Sequence, residues 1–230
     1  MEEEPPWWET GEMIRINLFV EGQTEETFVR DVLTPYYANK AIFMTPILAQ
    51  TSPGYKGGIV SYGKVRRQIT RLCRHDTQAY VTTMIDLYGL PNNFPGRGDG
   101  AFPRHGSCFE QAAFLETEMA EDISAPNFIP NLLVHEYEAL LFCRPEKFGE
   151  WIHESTDVAA LQTVADSFAT PEHINDSPQT APSKRIAAIE PRYKKTLHGP
   201  LIAGDIGLDL LREKCSHFNA WLNRIEALQA

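Results

Sequence analysis

Three apolar runs of seven residues, spaced by segments of helical period and each closing on an acid, constrain this chain more than any other feature. Ile14-Arg15-Ile16-Asn17-Leu18-Phe19-Val20 leads to Glu21 and Glu25. Ala79-Tyr80-Val81-Thr82-Thr83-Met84-Ile85 leads to Asp86, and Phe128-Ile129-Pro130-Asn131-Leu132-Leu133-Val134 leads to Glu136 and Glu138. Runs this short fit strands covered on both faces, as in a parallel sheet. Strands alternating with helices give an α/β domain with right-handed crossovers. In such a sheet ligands bind beyond the carboxyl ends of the strands, which is where these acids fall. Carboxylates gathered there repel one another and lose hydration unless protons or a cation neutralise them. A hard divalent ion does so with oxygen ligands alone.

The pattern predicts a strand over Met13 to Val20, a helix from about Thr24 capped by that residue, and a strand over Ala41 to Leu48. Gly22 is expected to give the sharp turn between the first two. Residues 51–58, Thr-Ser-Pro-Gly-Tyr-Lys-Gly-Gly, read as a loop. A helix follows over Ser61 to Arg74, with Val65, Ile69 and Leu72 on its apolar side and Lys64, Arg67, Arg71 and Arg74 on a cationic one. After the strand ending at Asp86, Tyr88 to Gly106 form a long loop, then a helix runs over Ser107 to Asp122. A strand closes near Val134 and a helix covers Glu136 to Phe142. The expected organisation is a flexible acidic leader over residues 1–12, an α/β core over 13–144 with about four strands flanked by helices, and a helical appendage over 145–230 packed on that core.

The formal charge of −10 argues against coating nucleic acid wholesale and leaves that task to local basic patches. No run approaches the roughly 18 apolar residues of a membrane span. The leader, with Trp7 and Trp8, lacks the basic-then-apolar form of a secretory signal, so the expected location is the cytoplasm, with no membrane partner. Cys73, Cys108, Cys143 and Cys215 contain no CxxC pair, which indicates buried free thiols instead of a zinc knuckle or redox dithiol. Residues 58–65 have the glycine spacing of a phosphate-binding loop, but Val65 stands where Ser or Thr would hold magnesium. His135-Glu136 opens like a zincin helix, but Ala139 replaces the second histidine. No GxSxG elbow is present.

Val20-Glu21-Gly22-Gln23-Thr24-Glu25 resembles the first motif of the TOPRIM fold, the metal-binding domain shared by topoisomerases, primases, small ribonucleases and the overcoming-lysogenization-defect nucleases. Asp86-Leu87-Tyr88 matches the first aspartate of that fold's Asp-x-Asp and carries Tyr88 in place of the second. Together with Asp86-Leu87-Tyr88-Gly89-Leu90-Pro91, His135-Glu136-Tyr137-Glu138-Ala139-Leu140-Leu141-Phe142 and Ala181-Pro182-Ser183-Lys184-Arg185-Ile186, the first motif resembles a DUF4276-type family of small bacterial TOPRIM-like proteins of undefined function.

The resemblance implies Mg²⁺ or Mn²⁺, phosphodiester chemistry, and pairing with an ABC-type or AAA-type ATPase encoded nearby, as in anti-phage defence. A divalent-metal-dependent nuclease is therefore expected, its alternative being a non-catalytic TOPRIM-like subunit that binds an ion or a partner protein. Glu21, Asp86 and either Glu136 or Glu138 are the expected ligands of one ion, and Glu25 completes a second. Lys184 and Arg185 are expected to neutralise developing charge. Arg192, Lys194 and Lys195, with the Lys64 to Arg74 face, are expected to hold a DNA or RNA backbone. His135 reads equally as a proton carrier and as a hydrogen-bonded buried histidine, and Ser183 equally as a helix cap and a substrate contact. More than one copy in the assembly fits a dimerising ATPase.

Overall fold

β1 (Ile14–Val20) shows why the sheet is covered twice. Ile16, Leu18 and Val20 lie in one buried apolar cluster and Phe19 in a second, so successive side chains enter opposite layers. The computed structural model describes residues 13–50, 61–175 and 179–229; the predicted leader over 1–12 and the predicted 51–58 loop lie outside them. β1 is flanked in parallel by β2 (Ile42–Leu48) and β3 (Tyr80–Asp86). β4 (Phe128–Ile129) and β5 (Leu132–Leu133) both pair in parallel with β3, giving the order β2-β1-β3-β4 with β5 continuing along β3. The chain is thus the expected parallel α/β sheet flanked by helices.

The single strand expected through Phe128 to Val134 is in fact two short ones. Pro130 has no N–H to donate to a ladder, and Asn131 bonds to a side chain where a ladder would continue. The Thr83 hydroxyl donates to the Asn131 carbonyl (2.6 Å) and accepts from its amide (2.9 Å). β2 carries Pro46 and pairs only with β1 among the described strands, an edge position where proline is tolerated.

After β1 the chain forms α1 (Gln23–Phe28), a five-residue π-helical turn (Val29–Leu33) and α2 (Thr34–Ala38). Pro35 cannot donate to the preceding turn, which accounts for the widened hydrogen-bond pattern just before it. The N-cap of α1 is Gly22, with no side-chain cap, and Thr24 is buried inside the helix, so the predicted Thr24 cap is not formed. α3 (Tyr62–His75) and α4 (Cys108–Ile123) cover one face of the sheet through Val65, Ile69, Leu115 and Met119. α4 opens with a capping box in which Ser107 and Glu110 satisfy each other's backbone amides. Residues 88–106 between β3 and α4 form turns without a helix or strand.

The other face is covered by α1, a helix of 3-10 type (Tyr137–Cys143) where a helix over Glu136 to Phe142 was predicted, and the helices beyond residue 145. These are α5 (Glu146–Trp151), α6 (Val158–Asp166), α7 (Pro182–Ile189), α8 (Lys195–Ile206), α9 (Leu208–Lys214) and α10 (Ser216–Glu226). Phe148, Ile202 and Trp221 share one buried cluster with Leu18, Phe28 and Met84, so the region read as an appendage forms the second covering layer. Cys143 and Cys215, which sequence spacing did not pair, bring their sulfurs to 3.5 Å as free thiols. Among the described residues no helix is long and apolar enough to cross a membrane.

One ion cluster staples this layer to the helical segment after β1. The Glu226 carboxylate accepts from Arg212 (2.7 Å), Lys40 (2.8 Å) and the Tyr37 hydroxyl (3.1 Å). The Arg212 hydrogen bond, aided by Lys40, outweighs partial burial and holds the carboxyl at about 2, below its ordinary 4.5. Between these values the unfolded chain carries a proton that the folded chain lacks, so stability rises with pH through that window. Glu226→Gln is expected to lower the melting temperature at pH 7 and to flatten the acid limb between pH 4.5 and about 2. Melting curves across that range check this, and an unchanged limb would show that the cluster contributes nothing.

Candidate functional site

The strand order reverses between β1 and β3, since β2 lies outside β1 and β4 outside β3. A crevice opens where neighbouring strands send their connections opposite ways. Glu21 follows β1 at this point and Asp86 ends β3. Glu21 Oε2 accepts from the Asp86 amide (3.2 Å), which ties the two strand ends directly. Asp86 Oδ1 accepts from the Tyr137 amide (3.0 Å), the first residue of the 3-10 helix, so the turn after β5 orients this carboxylate.

Gly22 acts here by its size. Its φ of −147° is open to any residue, contrary to the expected glycine-specific turn, but a Cβ at this position would lie 3.0 Å from Glu25 Oε2. The missing side chain leaves room for Glu25 to fold back over the strand end. Glu25, Asp86 and Glu138 are buried, and Glu138 has no exposed surface at all.

Opposite them stands Lys195, the first residue of α8. Its ammonium lies 3.1 Å from Glu138 Oε2 and 4.0 Å from Asp86 Oδ2. The Tyr193 hydroxyl makes a long contact with Glu138 Oε1 (3.4 Å). Gly199 lets α8 come this close, because a Cβ there would lie 3.1 Å from both Thr24 Cγ2 and the Tyr193 hydroxyl.

Burial drives the Asp86 carboxyl well above the ordinary carboxylate range; Glu21, Glu25 and Glu138 add to the rise and Lys195 opposes it. Burial likewise raises Glu138, with Glu136 and Glu25 adding and Lys195 opposing. For Lys195 burial disfavours the charge, but Asp86, Glu138 and Glu25 outweigh it and raise its pKa. The crevice is therefore short of positive charge even with the lysine in place.

Two buried oxygens here lack a hydrogen bond among the described residues, Glu138 Oε2 and the Tyr137 hydroxyl. Lys195 meets the first at ion-pair distance but outside hydrogen-bonding geometry. The oxygen-only donor set and these orphaned atoms fit a hard cation chemically. Geometrically, no three Asp, Glu, His or Cys side chains among the described residues converge closely enough to ligate an ion, and Lys195 supplies the neutralising charge.

The remaining predicted site residues lie elsewhere. Glu136 Oε2 accepts from the Ser183 amide (2.9 Å) at the start of α7, while Glu138 is the acid that pairs with Lys195. Ser183 does not cap: α7 begins one residue earlier, at Pro182, with Ala181 as its N-cap. His135 holds a left-handed backbone (φ 66°), and its Nδ1 lies 3.2 Å from Asn175 Nδ2. Burial, with His173 nearby, lowers His135 to about 4 and keeps it neutral at pH 7. Arg185 donates to the Thr180 carbonyl and stacks on Phe168, while Lys184 is exposed. Arg192 is bound to Glu190 (2.7 Å) and Lys194 is exposed at the N-cap of α8.

Lys195, expected against a nucleic-acid backbone, stands at the mouth of the acidic crevice as its counter-ion, with 43% of its side chain exposed. Lys64, Arg67, Arg71 and Arg74 lie on α3, in the layer opposite the one that carries Glu25, Glu138 and Lys195. Sequence reading missed Tyr137 and Tyr193 as members of the crevice; both are tyrosines adjoining a charged residue, with no spacing that marks them.

A family model described as "Domain of unknown function (DUF4276)" matches residues 20–226. The chain is 16% identical to the C-terminal region of the Xanthomonas campestris pv. campestris OLD protein. In the structure phased with mercury the match covers 94% of this chain and 98% of that one, with a TM-score of 0.41. In the structure phased with platinum it covers 94% and 95%, also with a TM-score of 0.41. No curated protein matches the chain.

Proposed function

This chain belongs to the DUF4276 family, and on that premise we propose that it is a divalent-metal-dependent nuclease in which Glu21, Asp86 and Glu138, with Glu25 beside them, would close around an ion that takes the place of the Lys195 ammonium. The observation that carries this reading is the meeting of buried Asp86 and Glu138 at the β1/β3 switch point, both driven upward in pKa despite Lys195. Bound there, Mg²⁺ or Mn²⁺ supplies Lewis acidity toward a phosphodiester. The backbone amides of Asp86 and Tyr137 hold the Glu21 and Asp86 carboxylates in place. Lys195 offsets negative charge at the mouth of the crevice. The sequence resemblance adds the setting: a cytoplasmic effector of an anti-phage system, restrained or activated by an ABC-type or AAA-type ATPase and present in more than one copy.

A second reading is favoured by one feature, the lysine already seated between Asp86 and Glu138. In it the crevice is structural and the chain is a non-catalytic subunit of the same assembly, which also suits Tyr88 at the position of the missing aspartate.

Thermal melts with Mn²⁺ and cleavage assays on labelled DNA and RNA separate the two. Mn²⁺ at about 100 times its Kd is expected to stabilise the fold by roughly 2.7 kcal/mol. Glu21→Ala and Asp86→Ala are each expected to remove that shift together with cleavage. A shift that survives both substitutions would refute the site. Mn²⁺ binding without cleavage, with the ATPase present, would establish the non-catalytic reading.

A further inference from the structure

We propose that the outer face of α3 is a docking surface for the phosphate backbone of nucleic acid, separate from the carboxylate crevice. A groove of about 550 Å³ runs along this helix, lined by Arg66, Arg67, Thr70, Arg71, Arg74 and His75. Arg66 is fixed in its wall by Asp122 (2.7 Å), which also accepts from the Tyr62 hydroxyl (2.7 Å). Arg67, Arg71 and Arg74 are exposed and have no hydrogen bond or ion pair among the described residues. Like charges at helical spacings of four and three repel one another. The protein as a whole carries a net charge of −10, so this concentration of unpaired arginines runs against its overall balance.

The chemistry favours phosphate. Arginine presents a planar fork that matches phosphate oxygens two at a time. From Arg67 to Arg74 the helix advances about 10 Å, the rise of about three phosphate steps along one strand of a duplex. The groove does not lead into the crevice. α3 lies on the opposite face of the sheet from Glu25, Glu138 and Lys195, and it runs toward the loop that enters the amino end of β3, while Asp86 lies at the carboxyl end. β3 alone spans about 20 Å at roughly 3.3 Å per residue. Binding on α3 is therefore a substrate-capturing contact remote from the acids.

This inference deepens the nuclease reading, but its test is independent of the metal. Fluorescence anisotropy of the full chain with a labelled 20-base-pair DNA duplex, in chelator and across a salt series, measures docking alone. Arg67→Gln/Arg71→Gln/Arg74→Gln changes exposed, unpartnered side chains and is expected to keep the circular dichroism spectrum of the parent. Its affinity is expected to fall at least about tenfold, and its salt dependence to lose a slope of about 3. Asp86→Ala is expected to bind as the parent does.

Undiminished binding by the triple variant would overturn the proposal, as would absence of duplex binding by the parent. Displacement of the duplex by polyglutamate as effectively as by unlabelled duplex, at equal charge, would also overturn it and identify an acidic protein as the partner. Failure here with an intact Mn²⁺ shift leaves the metal reading standing. Docking without any Mn²⁺ shift does the reverse.

Discussion

Lys195→Met is expected to lower the melting temperature at pH 7 by up to about 12 °C, at roughly 2–4 °C per kcal/mol for a chain of this size. The substitution leaves Glu138, fully buried, facing Asp86 and Glu25 without its only nearby cation among the described residues. Stranding a buried charge in this way costs up to about 3–5 kcal/mol, and less here because 43% of the lysine side chain is exposed to screening solvent. The carboxyl has an escape, because it can take up a proton. From an ordinary value of 4.5, protonation at pH 7 costs about 3 kcal/mol at 1.36 kcal/mol per pH unit, which caps the loss.

The sign of the pH dependence follows. In the variant the folded carboxyl binds its proton more readily than the unfolded one, so its penalty shrinks as pH falls toward 4.5. Adding Glu138→Gln should restore most of the loss at pH 7, since a neutral amide needs no counter-ion. Melting curves of both variants at pH 5 and pH 7 decide the point. A loss that is independent of pH and persists beside Glu138→Gln would mean that the lysine stem, not its charge, matters.

Trp221→Ala is expected to be at least as damaging, at about 3–5 kcal/mol, or roughly 6–20 °C. Trp221 is fully buried in the core and packs on Phe218 with ring centroids 5.6 Å apart. Its indole N–H donates to the Thr82 hydroxyl (2.9 Å) in the middle of β3, so one side chain joins the last long helix to the central sheet. Alanine removes the ring and leaves the buried hydroxyl without that donor. Trp221→Phe keeps most of the apolar volume and should cost about 1–3 kcal/mol, chiefly the unsatisfied Thr82. Denaturant melts of both variants test this. A change below about 1 kcal/mol for alanine would show that α10 contributes little to covering the sheet.

The layered fold was readable because strand and helix periods are local properties. Ile16, Leu18 and Phe19 announce a doubly covered strand within four residues, and the acids at the strand ends follow from the same pattern. The break at Pro130 was also written locally, but the hydroxyl of Thr83 that replaces the ladder comes from another strand. The crevice was half legible. Glu21, Glu25, Asp86 and Glu138 sit next to strand ends, while Lys195 belongs to a helix whose approach depends on Gly199 and has no periodic signature. The same limit hid Cys143 and Cys215, whose contact is a product of packing, and sent Glu136 toward Ser183 when its neighbour two residues on entered the crevice.

Gly199 gives this architecture a means of adjustment that changes no ionisable group. A methyl group there would press on Thr24 and Tyr193 by a few tenths of an ångström and lift the first turn of α8. The ammonium four residues earlier would retreat with it, and its attraction to Glu138 would weaken with distance. Steric clearance between two helices thus sets how firmly the chain holds its own positive charge against these acids, and so how much room an outside cation would find.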